Sequence, residues 1–332
     1  MREDTRIDIV QFEPGMIPGM VEMFLLEYGG DRYQVEAKLR HKCDSEAVRL
    51  REGINLVGLA GERVVAVQAF TPWPYCRAGQ TYRSLQSGHS LVHPDFRGRG
   101  MFLRMLAEGN KIASAKGMDF FMGFPGQESY RAFIRDKWID LGRLRLWTRA
   151  VNPAEAFRQR RKRHVPTNSL DIAQPLKVES LARGTQDVGA GFRLSQERRF
   201  LEWRYSSECN ENYRYFQYAR LGQEVSFVLR LDSSRGVREV WIGQIRKHAC
   251  TTFFLASALR ALSREVRRDT CIAALSLAML SPLPSTCLAL AMAGFIPNQL
   301  APPLIVKPHK AIQGLIDRSQ WRETCLEDMD VW

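Results

Sequence analysis

Leu91-Val92-His93-Pro94-Asp95-Phe96-Arg97-Gly98-Arg99-Gly100-Met101-Phe102-Leu103 decides how the rest of the chain is read. An apolar run stops at a proline, a basic turn with two glycines follows, and an amphipathic pattern begins at once. The order is strand, anion-binding turn, helix. A helix N-terminus leaves backbone N–H groups without partners and carries partial positive charge. Glycines at 98 and 100 keep side chains out of the path of a phosphate. Arg97 and Arg99 add charge that does not titrate. Locally the stretch is a pyrophosphate cradle; the alternatives are a plain tight turn or an Arg-Gly segment of an RNA-binding protein.

Upstream, residues 6–12 read as a short strand, 17–26 as an apolar helix and 32–49 as a charged one. Two apolar runs, 54–59 and 64–70, flank Gly61-Glu62 as a β-hairpin. Residues 84–93 form the strand that enters the turn. Downstream, Phe102, Met105, Leu106, Ile112 and Ala113 recur near the helical period, and Gly117 closes that helix. Residues 118–124 are a compact buried strand, 128–138 a helix and 144–151 a strand. Residues 153–191 change character. Their basic cluster, 158–164, reads as a solvated helix face, with phosphate or nucleic-acid contact as the alternative.

After this stretch the order of elements returns. A second hairpin spans 213–231 about Gly222-Gln223, followed by strand 240–245, helix 253–266, strand 272–277, helix 285–293 and strand 304–307. Gly61 and Gly222 lie 161 residues apart, so the chain reads as a duplicated α/β unit. The second strand–helix junction, Arg246-Lys247-His248-Ala249-Cys250-Thr251, has cations but no paired glycines. Only the first unit carries a cradle.

Composition bounds the class. The 332 residues suit two ordinary domains. An apolar content of 45% with 25% charged residues excludes a disordered chain. The net charge of +12 favours anionic partners, whether nucleic acid, anionic lipid or a phosphorylated cofactor. Seven scattered cysteines, with no C-x-x-C pair, argue against a disulfide framework and a zinc site. The charged first residues have no signal-peptide pattern, and Pro282 and Pro284 break the most apolar zone into pieces too short to span a bilayer. The expectation is a reduced cytoplasmic protein without a metal, monomeric or homodimeric.

Arg97-Gly98-Arg99-Gly100-Met101-Phe102 resembles the signature of the GNAT superfamily of acyl-CoA-dependent N-acyltransferases: Arg or Gln, two residues, Gly, one residue, then Gly or Ala. Phe102 departs at the last small position. Residues 123–130 and Lys137-Trp138-Ile139 look like the superfamily's following strand and helix. Phe200-Leu201-Glu202-Trp203-Arg204-Tyr205 is similar to a segment of larger, two-lobed bacterial members. The resemblance implies two lobes, each a twisted mixed sheet flanked by helices. Residues 1–152 would form an acyl-CoA-binding catalytic domain, 153–191 a linker and 192–332 a degenerate second domain.

It further implies acetyl-CoA, or another acyl-CoA, as co-substrate. The turn from Arg97, Gly98, Arg99 and Gly100 into Met101, Phe102 and Leu103 would hold the pyrophosphate. Leu91 and Val92 would pair with the pantetheine arm, in a splay between strands 84–93 and 118–124. The acceptor would be a small-molecule primary amine. Amine attack on a thioester needs a proton acceptor. His89, since the unperturbed pKa of a histidine lies near neutrality, is the first candidate, and a buried core histidine is its alternative; Glu128 and Tyr130 are the others. Alignment on Lys137-Trp138 puts Phe133 where the superfamily often has an acidic tyrosine; Tyr130 lies a turn earlier. Trp203, Arg204 and Tyr205 either contact an anionic acceptor or anchor a helix in the core. Two rivals stand beside this reading: a non-catalytic basic binding protein, and a Fem-like aminoacyl transferase, against which the glycine turn speaks.

Overall fold

A computed structural model describes residues 6–45, 48, 52–162, 174–175, 181, 191–205, 213–232 and 236–321. The end of the basic cluster, Arg163 and His164, lies outside the described residues, as do Cys209 and Cys325. The chain divides into two compact units. The first comprises 1–142 and 303–317, the second 143–302 and 318–332.

In the first unit, strands β1 (Asp8–Gln11), β2 (Ile54–Ala60), β3 (Arg63–Pro72) and β4 (Ser84–Val92) pair antiparallel in that order. β5 (Phe120–Gly123) then runs parallel to β4. Two helices, α1 (Ile17–Tyr28) and α2 (Arg32–Leu39), cover one face through Met20, Phe24, Leu39, Val67, Ala69 and Leu91. The expected helix over 32–49 ends at Leu39 and turns into a π segment, Arg40–Asp44. There Asn55 donates to the Cys43 carbonyl, and the Lys42 ammonium sits over the Trp73 ring. The sheet thus captures a backbone group that a continued helix would have used itself.

Helices α3 (Met101–Ala115) and α4 (Gln127–Arg135) cover the other face. Its core holds Phe70, Leu85, Met105, Leu106, Phe121, Phe133 and Trp138. Met105 and Leu106 are fully buried, each contributing about 1.5–3 kcal/mol by leaving water. Gly109 lets α3 lie against β3: a Cβ there would stand 2.4 Å from the Phe70 ring.

The expected boundary at 152 is displaced. β6 (Ile139–Ala150) pairs antiparallel with β10 (Ala274–Met279) of the second unit. The end of β11 (Ile296–Pro308) pairs with β5 instead, Ile305 opposite Gly123 and Pro308 opposite Phe120. Each unit therefore receives the strand that the sequence order assigns to the other. The expected linker also begins as structure. Helix α5 (Pro153–Lys162) buries Gln159, which bonds the Cys271 carbonyl and the Arg238 amide.

The second unit repeats the order. Strands β7 (Tyr213–Arg220), β8 (Gln223–Asp232) and β9 (Glu239–His248) pair antiparallel, and β10 runs parallel to β9. Helices α7 (Thr252–Val266) and α8 (Pro284–Met292) pack on this sheet through Leu255, Leu259 and Leu290. Between them in chain order and the first unit, α6 (Arg198–Arg204) anchors in the core. Phe200, Leu201, Trp203, Arg204 and Tyr205 are all buried, so the second of the two roles offered for Trp203, Arg204 and Tyr205 is the one observed.

Candidate functional site

The site is built where β4 leaves the sheet. Its pairing with β5 runs from Ser84–Phe120 to Ser87–Gly123 and stops there. Residues 88–92 continue along β3 alone, so β4 and β5 part at the middle of β4. The same place holds a β-bulge. Gly88 faces Ala69 and Leu91 faces Val67, so His89 and Ser90 together oppose Gln68. His89 takes the left-handed region at φ 51, which a non-glycine residue adopts at a cost of about 1–3 kcal/mol.

Gln68 fixes the bulge. It is fully buried, its amide nitrogen donates to Ser87 Oγ at 3.0 Å, and its oxygen accepts from Ser90 Oγ at 2.6 Å. One side chain thus ties the last residue paired to β5 to the second residue of the bulge. The sequence reading passed over Gln68 and Ser90. The signal was present, since glutamine interrupts the otherwise apolar Val64-Val65-Ala66-Val67-Gln68-Ala69-Phe70.

His89 is buried, its ring 6.3 Å from that of Phe24 on the α1 face. Leu91 is buried on this same face, and Val92 packs toward the α3 side. His93 is a fixing group. Arg63 Nη2 reaches its Nε2 at 2.7 Å. A guanidinium only donates, so Nε2 accepts from Arg63, while Nδ1 faces the Asp95 backbone N–H at 3.3 Å and the Asp95 carboxylate at 3.6 Å.

Beyond a short 3-10 turn, Gly98 and Gly100 have φ values of 77 and 72, and nothing lies within 4 Å of a Cβ built on either. Gly100 occupies the N-cap of α3 without a side-chain cap. The first N–H groups of α3, at Met101, Phe102 and Leu103, therefore face the open side of the turn. Arg97 donates from Nε to the Val92 carbonyl at 2.9 Å and from Nη2 to Glu27 at 2.6 Å. Arg99 stacks its guanidinium over Phe96. Phe102 meets Phe133 edge-on at 5.2 Å, so the large residue at the expected small position is absorbed between α3 and α4.

Glu128 stands exposed in the first turn of α4. Burial pushes the Tyr28 phenol up; the Glu27 charge adds to this, Arg97 opposes it and Glu128 adds further. These four groups share one electrostatic neighbourhood, which brings α1, the turn and α4 together at the parted strands. Tyr130 donates its hydroxyl proton to Asp140 at 2.6 Å, so its O–H is directed to β6. Phe133 is buried against Trp138.

The second unit has the same skeleton, including strands that part at a bulge, but starts its helix differently. Its β9 carries a bulge at Gly243 and pairs with β10 only from Glu239 to Trp241. There Thr251 caps α7 through Oγ1, taking the Phe254 N–H, and Lys247 reaches Thr286 of α8 at 2.9 Å. Among the described residues no helix is long and apolar enough to cross a membrane, and no cluster of three His, Cys, Asp or Glu side chains is placed to hold a metal.

No family model and no curated protein matches the sequence. Solved structures do match the fold. A GCN5-related N-acetyltransferase from Kribbella flavida aligns with a TM-score of 0.60 at 15% identity, over 92% of this chain and 72% of that one. One from Anabaena variabilis gives 0.60 at 11% identity, over 92% and 73%. The N-myristoyltransferase of Saccharomyces cerevisiae, with bound myristoyl-CoA, gives 0.57 at 10% identity, over 98% and 85%. At these identities the likeness is one of fold, and the fold is that of the GNAT N-acyltransferases.

Proposed function

We propose that this GNAT-fold chain is an acyl-CoA-dependent N-acyltransferase with one acyl-CoA site, in its first unit, and that it acetylates the primary amine of a small molecule. One observation carries the reading: an uncapped, glycine-started helix follows directly on a strand that has just parted from its parallel neighbour. The cradle suits a pyrophosphate, and the gap beside 88–92 suits an extended arm that pairs as an added strand. The fold neighbours named as N-acetyltransferases, and one with bound myristoyl-CoA, support the same chemistry.

In this scheme the N–H groups at Met101, Phe102 and Leu103 hold the pyrophosphate, with Gly98 and Gly100 giving access and Arg97 and Arg99 giving charge. Leu91 and Val92 present backbone to the pantetheine. The amine nitrogen attacks the thioester carbonyl carbon, the C–N bond forms, and a backbone N–H near Val92 meets the oxyanion. The C–S bond then breaks and its electron pair leaves on sulfur. His89, on the α1 face beside the parting, takes the proton the amine loses, and Glu128 is the second proton acceptor within the site. With the Tyr130 hydroxyl bonded to Asp140, the thiolate draws its proton from solvent.

Thiol release from acetyl-CoA over a panel of amines tests this. His89→Ala is expected to lose about 10²-fold or more in kcat, with acetyl-CoA affinity kept. Full turnover in that variant removes His89 as the base. Salt-dependent nucleic-acid binding with a steep slope, and no thiol release with any amine, would favour the basic binding protein instead.

A further inference from the structure

One end of the second unit exposes apolar side chains that neither its turns nor its core use. The hairpin turn between β7 and β8 is Leu221-Gly222, with φ values of 51 and 74. Both central positions are left-handed, where Asn-Gly is the favoured pair and a bulky side chain is strained. Leucine fills the first of them, and it is 88% exposed, so it serves neither the turn nor a core. Phe253, in the first turn of α7, is 70% exposed. The two loops are tied together. Gln223, just after the hairpin turn, accepts from the Thr251 N–H at 3.1 Å and from the Thr251 hydroxyl at 3.2 Å. Helix α8 starts at this same end, where Lys247 reaches Thr286, and its Leu288 is exposed as well.

Cations border this tip and continue away from it. Arg220 and His248 are exposed at the ends of β7 and β9, with Glu224, the register partner of His248, as the opposing carboxylate. Along α7, Phe253 is followed at helical spacing by Ser257, Arg260, Arg264 and Arg267, so these share one face, and the three arginines are exposed. Arg260 reaches across to the Met292 carbonyl of α8 at 2.9 Å. Burial, with the charges of Arg260 and Arg267, pushes the Arg149 guanidinium down. Like charges thus crowd this face, in a unit whose sequence holds 27 Lys and Arg against 17 Asp and Glu. Such crowding favours an anionic partner. The exposed leucine and phenylalanine choose among anionic partners. A nucleic acid backbone gives them nothing to enter, whereas an anionic bilayer offers phosphates at its surface and acyl chains just beneath.

We propose that the Leu221–Phe253 tip of the second unit docks on an anionic lipid surface. The two apolar side chains enter the boundary of the acyl chains, and Arg260, Arg264 and Arg267 lie along the headgroups. The tip belongs to the second unit, so this contact stands whether or not the first unit transfers acyl groups.

The test sediments the full chain with vesicles of phosphatidylcholine alone and of phosphatidylcholine mixed equally with phosphatidylserine. Wild type should pellet with the mixed vesicles and stay in solution with the neutral ones. Leu221→Asn, which suits the turn, should hold or raise the melting midpoint and lower the partition coefficient by about three- to tenfold. The double variant Arg264→Gln, Arg267→Gln should lower it by about tenfold, and raised salt should weaken wild type in the same way. No pelleting of wild type with the mixed vesicles, or undiminished pelleting of Leu221→Asn, overturns the proposal. A dimer in light scattering that Leu221→Asn splits also overturns it, and assigns the tip to a second copy of the chain. Duplex DNA that displaces the vesicles and binds wild type and Leu221→Asn alike overturns it too, and assigns the arginines to nucleic acid.

Discussion

Arg97, which the proposed reading assigns to the pyrophosphate, has one guanidinium nitrogen held by Glu27. The pair is partly exposed, so its own contribution to stability is small, about 0–1 kcal/mol. Its effect on an anion is larger, because the carboxylate offsets the charge the anion would meet. Glu27→Gln should therefore tighten acetyl-CoA binding by about two- to fivefold, read by calorimetry, with the gain shrinking as salt rises. A second residue-scale effect lies away from the site. Burial, then the charge of Lys307, depresses the His309 imidazole to about 4, against the opposing pull of Asp136. Its ring packs edge-on to Phe121 at 4.5 Å. The unfolded chain takes up that proton first as pH falls. Stability attributable to His309 is thus complete above about pH 6.5 and is lost as pH falls toward 4. Denaturant melts across that window should fall less steeply for His309→Asn than for wild type.

At the scale of elements, the close approach of α3 to β3 depends on Gly109. Alanine there gains helix propensity of about 1 kcal/mol but drives its Cβ into the fully buried Phe70 ring. Gly109→Ala should cost a net of about 1–3 kcal/mol in a urea titration. The strand–turn–helix unit around it was legible in the sequence, because glycine spacing, the proline stop and a 3.6-residue period all act locally. The bulge in β4 was not. An extra residue in one strand leaves the apolar pattern intact, since His89 and Leu91 still share a face. What it changes is the relation to residues before it, so that Gln86 and His89, three apart, come to one side. Gln68, which fixes the bulge, bonds across strands, and such partners are not spaced regularly in sequence. The proposed catalytic residues were legible only as residue types. That the Tyr130 hydroxyl is bonded to Asp140 depends on where β6 runs, and β6 pairs with a strand more than 120 residues away.

At the scale of the molecule, the repeated order of elements was readable from two glycine hairpins, but the strand exchange was not. Hydrophobic pattern assigns a strand to a sheet without saying which sheet, so β6 and the end of β11 were each read as closing the unit they follow in sequence. The two units then differ where the proposal needs them to. One helix starts on an uncapped glycine turn beside parted strands, and the other on a threonine cap with Lys247 bonded across to Thr286. On the proposed reading, two copies of one skeleton therefore give one acyl-CoA site. The most direct measurement is calorimetric titration of the full chain with acetyl-CoA, for wild type and for Gly100→Trp, with melting curves to confirm that both are folded. The predicted result is a stoichiometry of about one per chain in wild type, and at least roughly tenfold weaker binding when a side chain fills the turn. No binding by wild type, equal affinity in both proteins, or two equivalent sites per chain would contradict it.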